Sequence, residues 1–128
     1  LLDGDAQLAM SAADVVLQAS GTAVLEAALL RKPIVAMYRV SPVTYWIAKW
    51  LVKLEYYTLP NLLTEQPLVP EFMQHDALPV PIAAEVIALL DDPERRRFIS
   101  ERFDRLRAEL ALDADQHAAD SVVELARR

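Results

Sequence analysis

The sequence predicts an α/β fold: a parallel sheet with flanking helices, ending in two or three helices. Three observations predict it. The short apolar run Asp14-Val15-Val16-Leu17-Gln18 is followed by the helix formers of 23–30 and then by a second apolar run, Ile34-Val35-Ala36-Met37-Tyr38. Strand, helix and strand in so few residues make a βαβ unit, whose strands are parallel and whose crossover is right-handed. Hydrophobic residues make up 54% of the chain and aromatics only 7%, so the apolar content is mainly Ala, Leu and Val, which favours helices over an all-β sandwich. The last third carries apolar positions near helical spacing, first Phe98, Ile99, Phe103, Leu106 and Leu110, then Ala118, Val122 and Leu125.

In order along the chain, 5–12 reads as the end of a helix, with Leu8 and Met10 among small residues. The run 14–18 reads as a buried parallel strand, and Ala19-Ser20-Gly21-Thr22 as the turn after it. Arg31-Lys32-Pro33 closes the helix 23–30: cations sit near its negative end and Pro prevents continuation. A helix is expected over 42–54, with Pro42 suited to its first turn. Tyr56-Tyr57-Thr58-Leu59 reads as a short strand, followed by a loop at Pro60-Asn61. Pro67, Pro70, Pro79 and Pro81 break the middle region into turns and helix starts. A helix over 81–90 ends at Asp91-Asp92-Pro93, a long charged helix follows over 94–110, and a last one over 113–126. The chain thus divides into an α/β region, 1–90, and a helical tail, 91–128.

With 128 residues the chain fits one domain, or one half of a larger one. It opens at Leu1-Leu2 without an initiator Met and reads as a piece of a longer protein. The net charge of −6 argues against a nucleic-acid partner. The stretch 31–53 nevertheless carries Arg31, Lys32, Arg39, Lys49 and Lys53 and no acid. Such a region marks where anionic ligands or headgroups approach, or is a chance cluster of solvated cations. The absence of cysteine excludes disulfides, Cys-based metal sites and a Cys nucleophile, and fits a reducing compartment. His75 and His117 lie far apart, so no metal site and no cofactor is expected. No apolar run approaches the length of a membrane span, and no signal peptide is visible.

The segment that carries chemistry is Ser20-Gly21-Thr22. A buried strand ends there, Gly21 permits close approach of backbone to ligand, and a helix begins. Helix N-termini expose unpaired N–H groups and the positive end of the dipole, which suits a phosphate or diphosphate at the carboxyl edge of a parallel sheet. Ser20 and Thr22 can cap the helix or donate hydroxyl hydrogen bonds to phosphate oxygens. The turn lacks the Gly-Lys-Ser/Thr ending of a Walker loop and is not GxGxxG, which disfavours ATP hydrolysis and ordinary NAD binding. Glu26, one helical turn beyond Thr22 on the same face, can accept hydrogen bonds from a ribose; equally, it is a solvent-facing Glu favoured by the dipole.

An ordered series of motifs adds a resemblance. Ser20-Gly21-Thr22-Ala23-Val24-Leu25-Glu26, Tyr38-Arg39, Leu51-Val52-Lys53, Leu59-Pro60-Asn61-Leu62-Leu63 and Val69-Pro70-Glu71 follow one another as in the C-terminal part of the lipid-A-disaccharide synthase family, over nearly the whole chain. The resemblance implies a Rossmann-like region from the C-terminal half of a GT-B glycosyltransferase. Residues 1–90 would bind the UDP-sugar donor, 91–128 would form the tail, and the N-terminal acceptor domain would lie outside this chain. Such enzymes transfer 2,3-diacylglucosamine from its UDP derivative to 2,3-diacylglucosamine 1-phosphate (lipid X), inverting the anomeric centre and releasing UDP. By the resemblance, Ser20, Gly21 and Thr22 hold the diphosphate, Glu26 binds the ribose, and Asn61 contacts the donor. Tyr38 and Arg39 lie near the uracil and phosphates, and the Arg39 fork would neutralise charge on departing UDP. Read without the resemblance, Arg39 is a surface ion-pair residue and Asn61 a turn former. No residue here is marked as catalytic; the base is expected in the N-terminal half, and GT-B enzymes do not generally require a protein-bound metal.

Within 42–54, Trp46, Lys49, Trp50 and Lys53 share one helical face, while Val43, Ile47, Leu51 and Leu54 share another. Rings paired with cations suit a headgroup interface; alternatively the tryptophans fill a groove against the rest of the protein. With the lipid substrates that the resemblance implies, the first reading makes a cytoplasmic protein peripherally associated with the inner membrane. Two competing readings stand. One is another UDP-sugar GT-B enzyme or epimerase. The other is a non-catalytic helical interaction module, whose tail helices would suit a homodimer formed by helix exchange.

Overall fold

The computed structural model describes residues 5–19, 21–39, 41 and 56–126, with side chains as far as 111. Helix α1 (Ala6–Ala12) starts at Asp5, whose carboxylate accepts the Leu8 N–H at 3.1 Å. The segment expected to be the end of a helix is therefore a complete two-turn helix with its own cap.

The βαβ unit forms as the sequence predicts, from β1 (Val16–Ala19), α2 (Thr22–Leu29) and β2 (Ile34–Tyr38). The two strands are parallel, with Val16 opposite Ile34 and Ala19 opposite Met37. Helix α2 ends by backbone geometry rather than by charge. Arg31 takes a left-handed φ of 61°, its N–H reaches the Ala28 carbonyl at 2.8 Å, and the Lys32 N–H reaches Ala27 at 3.1 Å. This is a Schellman closure with arginine at the position where glycine is usual.

Downstream, two expectations are overturned. Tyr56-Tyr57-Thr58-Leu59 and the Pro60-Asn61 loop give way to a short helix, α3 (Leu59–Leu63), with Thr58 at its N-cap and Pro60 in its first turn. Aromatic and β-branched residues suggested a strand, but Pro60 lacks the N–H a ladder needs and suits a helix start. A third strand, β3 (Glu71–Met73), was not expected, because three residues behind Pro70 offer no alternation to read. It pairs parallel with β2, Ala36 opposite Glu71 and Tyr38 opposite Met73, which gives the order β1-β2-β3.

Helix α4 (Pro79–Asp91) begins two residues before the expected Pro81, since Pro79 already suits its first turn. The tail is one helix, α5 (Pro93–Ala126), where two were expected over 94–110 and 113–126. Neither Gly nor Pro interrupts 111–113, and Ala and Leu there propagate the helix. At the α4–α5 corner, Asp92 caps the Arg95 N–H at 2.8 Å, and Arg96 donates to the carbonyls of Leu89 and Leu90.

Helix α2 packs on β1, β2 and α5, and α4 packs on β2 and α5. Val24, Ala27, Ala28, Ile34, Val35, Leu89 and Phe103 are fully buried in the resulting core. From the predicted stripe of the tail, Ile99, Phe103 and Leu106 are buried and Leu110 packs beside them, but Phe98 is exposed. It sits one residue off the 4-3-4 spacing of the others, under the Arg102 guanidinium at 5.1 Å. Leu17 and Met37 line an open apolar groove of about 560 Å³ with Ile82, Val86 and Ile87 of α4, and Arg39 lines it too. No described helix is long and apolar enough to cross a membrane. The expected helix over 42–54 lies outside the described residues.

Candidate functional site

Parallel strands in register end at one edge, and the register decides which predicted residues meet. Ala19 is opposite Met37. Gly21 and Arg39 each lie two residues beyond that pair, past the ends of neighbouring strands. The turn after β1 and the Tyr38-Arg39 end of β2 thus face the same carboxyl edge.

At the turn, Gly21 has φ 130° and ψ −160°, and as the N-cap of α2 it makes no side-chain capping bond. This backbone region belongs essentially to glycine. A Cβ built on Gly21 would meet nothing within 4 Å, so the requirement there is conformational and not one of space. The first N–H groups of α2 point toward the edge, as at any helix start. Gly21, Thr22, Glu26 and Arg39 are all exposed, with Glu26 one turn further along α2. The backbone N–H groups and the Thr22 hydroxyl are donors suited to an anion, and the register brings Arg39 to the same edge, its side chain lining the groove against α4. Ser20 lies outside the described residues, as do Trp46, Lys49, Trp50 and Lys53.

Tyr38 is half-buried, and its carbonyl accepts the Gln74 N–H at 2.9 Å. Its ring faces that of Tyr57, with centroids 6.4 Å apart and planes tilted by 53°. That separation lies in the range of attractive aromatic pairs. The sequence singled out Tyr38 but not its partner.

Asn61 does something other than expected. It is 3% exposed. Its amide donates to the Val69 carbonyl at 2.7 Å and to Glu71 Oε1 at 2.8 Å, and its oxygen accepts the Leu68 and Val69 N–H groups at 2.8 Å each. Four bonds fill the capacity of a carboxamide, so the side chain has no group left for a donor substrate.

Glu71 completes the cluster. Oε2 accepts the Tyr57 N–H at 2.8 Å; Oε1 accepts the Thr58 N–H at 3.0 Å, the Thr58 hydroxyl at 2.7 Å and the Asn61 amide. Leu-Pro-Asn and Val-Pro-Glu, two separate motifs in the sequence, are one hydrogen-bonded unit in the fold. Glu71, Tyr57 and Thr58 are the residues sequence reasoning missed; the only signal was Glu71 as the last letter of Val-Pro-Glu. Among the described residues, no group of three His, Asp or Glu side chains is placed to hold a metal ion.

Residues 1–125 match the family model described as lipid-A-disaccharide synthetase. The lipid-A-disaccharide synthase of Cellvibrio japonicus (strain Ueda107) is 45% identical over 125 residues, 98% of this chain and 33% of that protein. That of Pseudomonas fluorescens (strain SBW25) is 46% identical over 98% of this chain and 32% of its own length, and that of Haemophilus influenzae (strain 86-028NP) 44% identical over 98% and 33%. The chain spans about a third of the length of these curated relatives.

Proposed function

We propose, for a chain that belongs to the lipid-A-disaccharide synthetase family, that it supplies the UDP-binding part of a glycosyltransferase of lipid A biosynthesis. The whole enzyme would transfer 2,3-diacylglucosamine from its UDP derivative to lipid X, with inversion, giving the β-1,6-linked disaccharide and UDP. The observation that carries the reading is the convergence of the Gly21 turn and Arg39 at one sheet edge.

In this reading the α2 N–H groups, Ser20 and Thr22 hold the diphosphate, and Glu26 accepts from the ribose hydroxyls. Donors already in place at the edge need no reorganisation as negative charge builds on the departing UDP. Arg39 adds a full positive charge there, and Tyr38 lies beside it. Asn61 serves the site by holding the chain around Val69 rather than by touching the donor. Residues 1–90 form the donor-binding region and 91–128 the tail, whose Ile99, Phe103 and Leu106 are buried against it. The acceptor pocket and the base that deprotonates the acceptor hydroxyl belong to the part of the protein outside this chain, so the chain alone is inactive. Trp46, Lys49, Trp50 and Lys53 supply the contact with the inner-membrane surface, and the tail helix suits exchange between protomers of a dimer.

Calorimetry on the full-length protein tests the reading, with UMP and ATP as controls. Selective UDP binding that weakens in Glu26→Ala and Arg39→Ala is the expected result. Unchanged UDP affinity in both variants removes the site from this edge.

A further inference from the structure

We propose that Glu71 is a positioning residue for nucleotide binding and that it acts through Tyr57. The inference rests on the donor-site reading above and extends it to residues that reading does not use. Glu71 is the first residue of β3, so its backbone is fixed by pairing with Ala36 on β2. From that anchor its carboxylate holds two consecutive backbone N–H groups, those of Tyr57 and Thr58, together with the Thr58 hydroxyl. Thr58 is 1% exposed and Asn61, the fourth donor to this carboxylate, is 3% exposed, so water competes little for their bonds, while the Tyr57 bond lies at the surface.

Tyr57 differs from the residues that hold it. Its N–H is clamped, but its side chain is among the exposed large hydrophobics, and its ring lies against Tyr38. Tyr38 is the last residue of β2 and immediately precedes Arg39. The carboxylate therefore fixes, at one remove, a second ring beside the carboxyl end of β2. Two tilted aromatic rings at the carboxyl end of β2 form a wall for the flat base of a nucleoside diphosphate held at the neighbouring turn. An exposed tyrosine with no role would have no need of a carboxylate fourteen residues away to hold its N–H.

The test is a double-mutant cycle on UDP affinity in the full-length protein, with Glu71→Gln, Tyr57→Ala and the double variant. Glutamine keeps one acceptor oxygen and disturbs the clamp less than alanine, so it is the variant suited to keeping the fold. Tyr57→Ala truncates a residue that is 36% exposed and tests the wall even where a Glu71 variant fails to fold. Each single change is expected to weaken UDP binding by roughly three- to tenfold, the scale of one lost ring contact. The double variant is expected to be no weaker than Tyr57→Ala, because both act through the same ring. A fluorine label on Tyr57 should shift in Glu71→Gln, and the shift should respond to UDP in the unmutated protein.

Additive effects in the cycle would mean that Glu71 acts by general stability, and would overturn the proposal. So would UDP affinity unchanged by Tyr57→Ala while Glu26→Ala weakens it, and that outcome would leave the donor site standing. Loss of every effect, Glu26→Ala included, would instead remove the donor site itself.

Discussion

Two polar clusters sit next to the same small sheet and are built on opposite terms. In the cluster of Asn61 and Glu71, the carboxamide is saturated, the carboxylate accepts four donors, and every partner belongs to the chain. At the Gly21 turn, the N-cap residue makes no side-chain capping bond, and Gly21, Thr22, Glu26 and Arg39 are open to solvent. A buried polar group must find its partners inside the protein or cost stability; an exposed one at a helix start is served by water until a ligand replaces it. Polar residues in motifs of similar weight in the sequence thus divide into those that hold the fold and those available to bind.

The most severe way to break this contrast is Asn61→Ala. It strips partners from three buried backbone groups and one carboxylate bond at once, and should cost about 3 kcal/mol, read as a lower urea midpoint. A loss below about 1 kcal/mol would show that the cluster is not the structural lock described. Gly21→Ala comes next. With nothing near the new methyl, the whole penalty is backbone strain of about 2 kcal/mol, and UDP binding should fall as the turn rearranges.

Glu26→Ala sharpens the contrast from the other side. Stability should stay within about 0.5 kcal/mol, as for exposed sites generally, while UDP binding weakens by roughly tenfold through the lost ribose bonds. A thermal shift with unchanged affinity would move Glu26 into the structural class. The smallest effect is expected far from both clusters, at Arg31→Gly. The left-handed arginine is relieved, its ion pair to Asp104, exposed and 3.6 Å long, contributes little, and a net gain of about 0.5 kcal/mol should appear in the same urea experiment.

What could be read from the sequence follows the range of the forces involved. The βαβ unit was legible because β-branched runs, a glycine and a proline act within a few residues of themselves. Helix α3 was not, because its N-terminal segment is organised by a carboxylate 13 residues downstream. Strand β3 was hidden for a related reason: its three residues become a strand by pairing with β2 and not through any pattern of their own. The sequence named Gly21, Thr22, Tyr38 and Arg39, and the sheet register brings the turn and the strand end that carry them to one edge. Asn61 was named for the wrong partner, since a buried carboxamide and a ligand-binding one look alike in sequence, and Tyr57 was missed because its role depends on where Tyr38 lies.

The backbone at Gly21 also has a stereochemical meaning. With φ 130° and ψ −160° it is close to the mirror image of ordinary extended chain. Glycine stands there because it is the one encoded residue indifferent to handedness. A D-alanine introduced at 21 by chemical ligation would find in this turn its own preferred extended conformation, so its backbone should fold without the strain that the L-isomer meets. The turn is thus selective for chirality at a single α-carbon, and a pair of ligated proteins differing only in that centre should differ in stability by the full cost of the wrong hand.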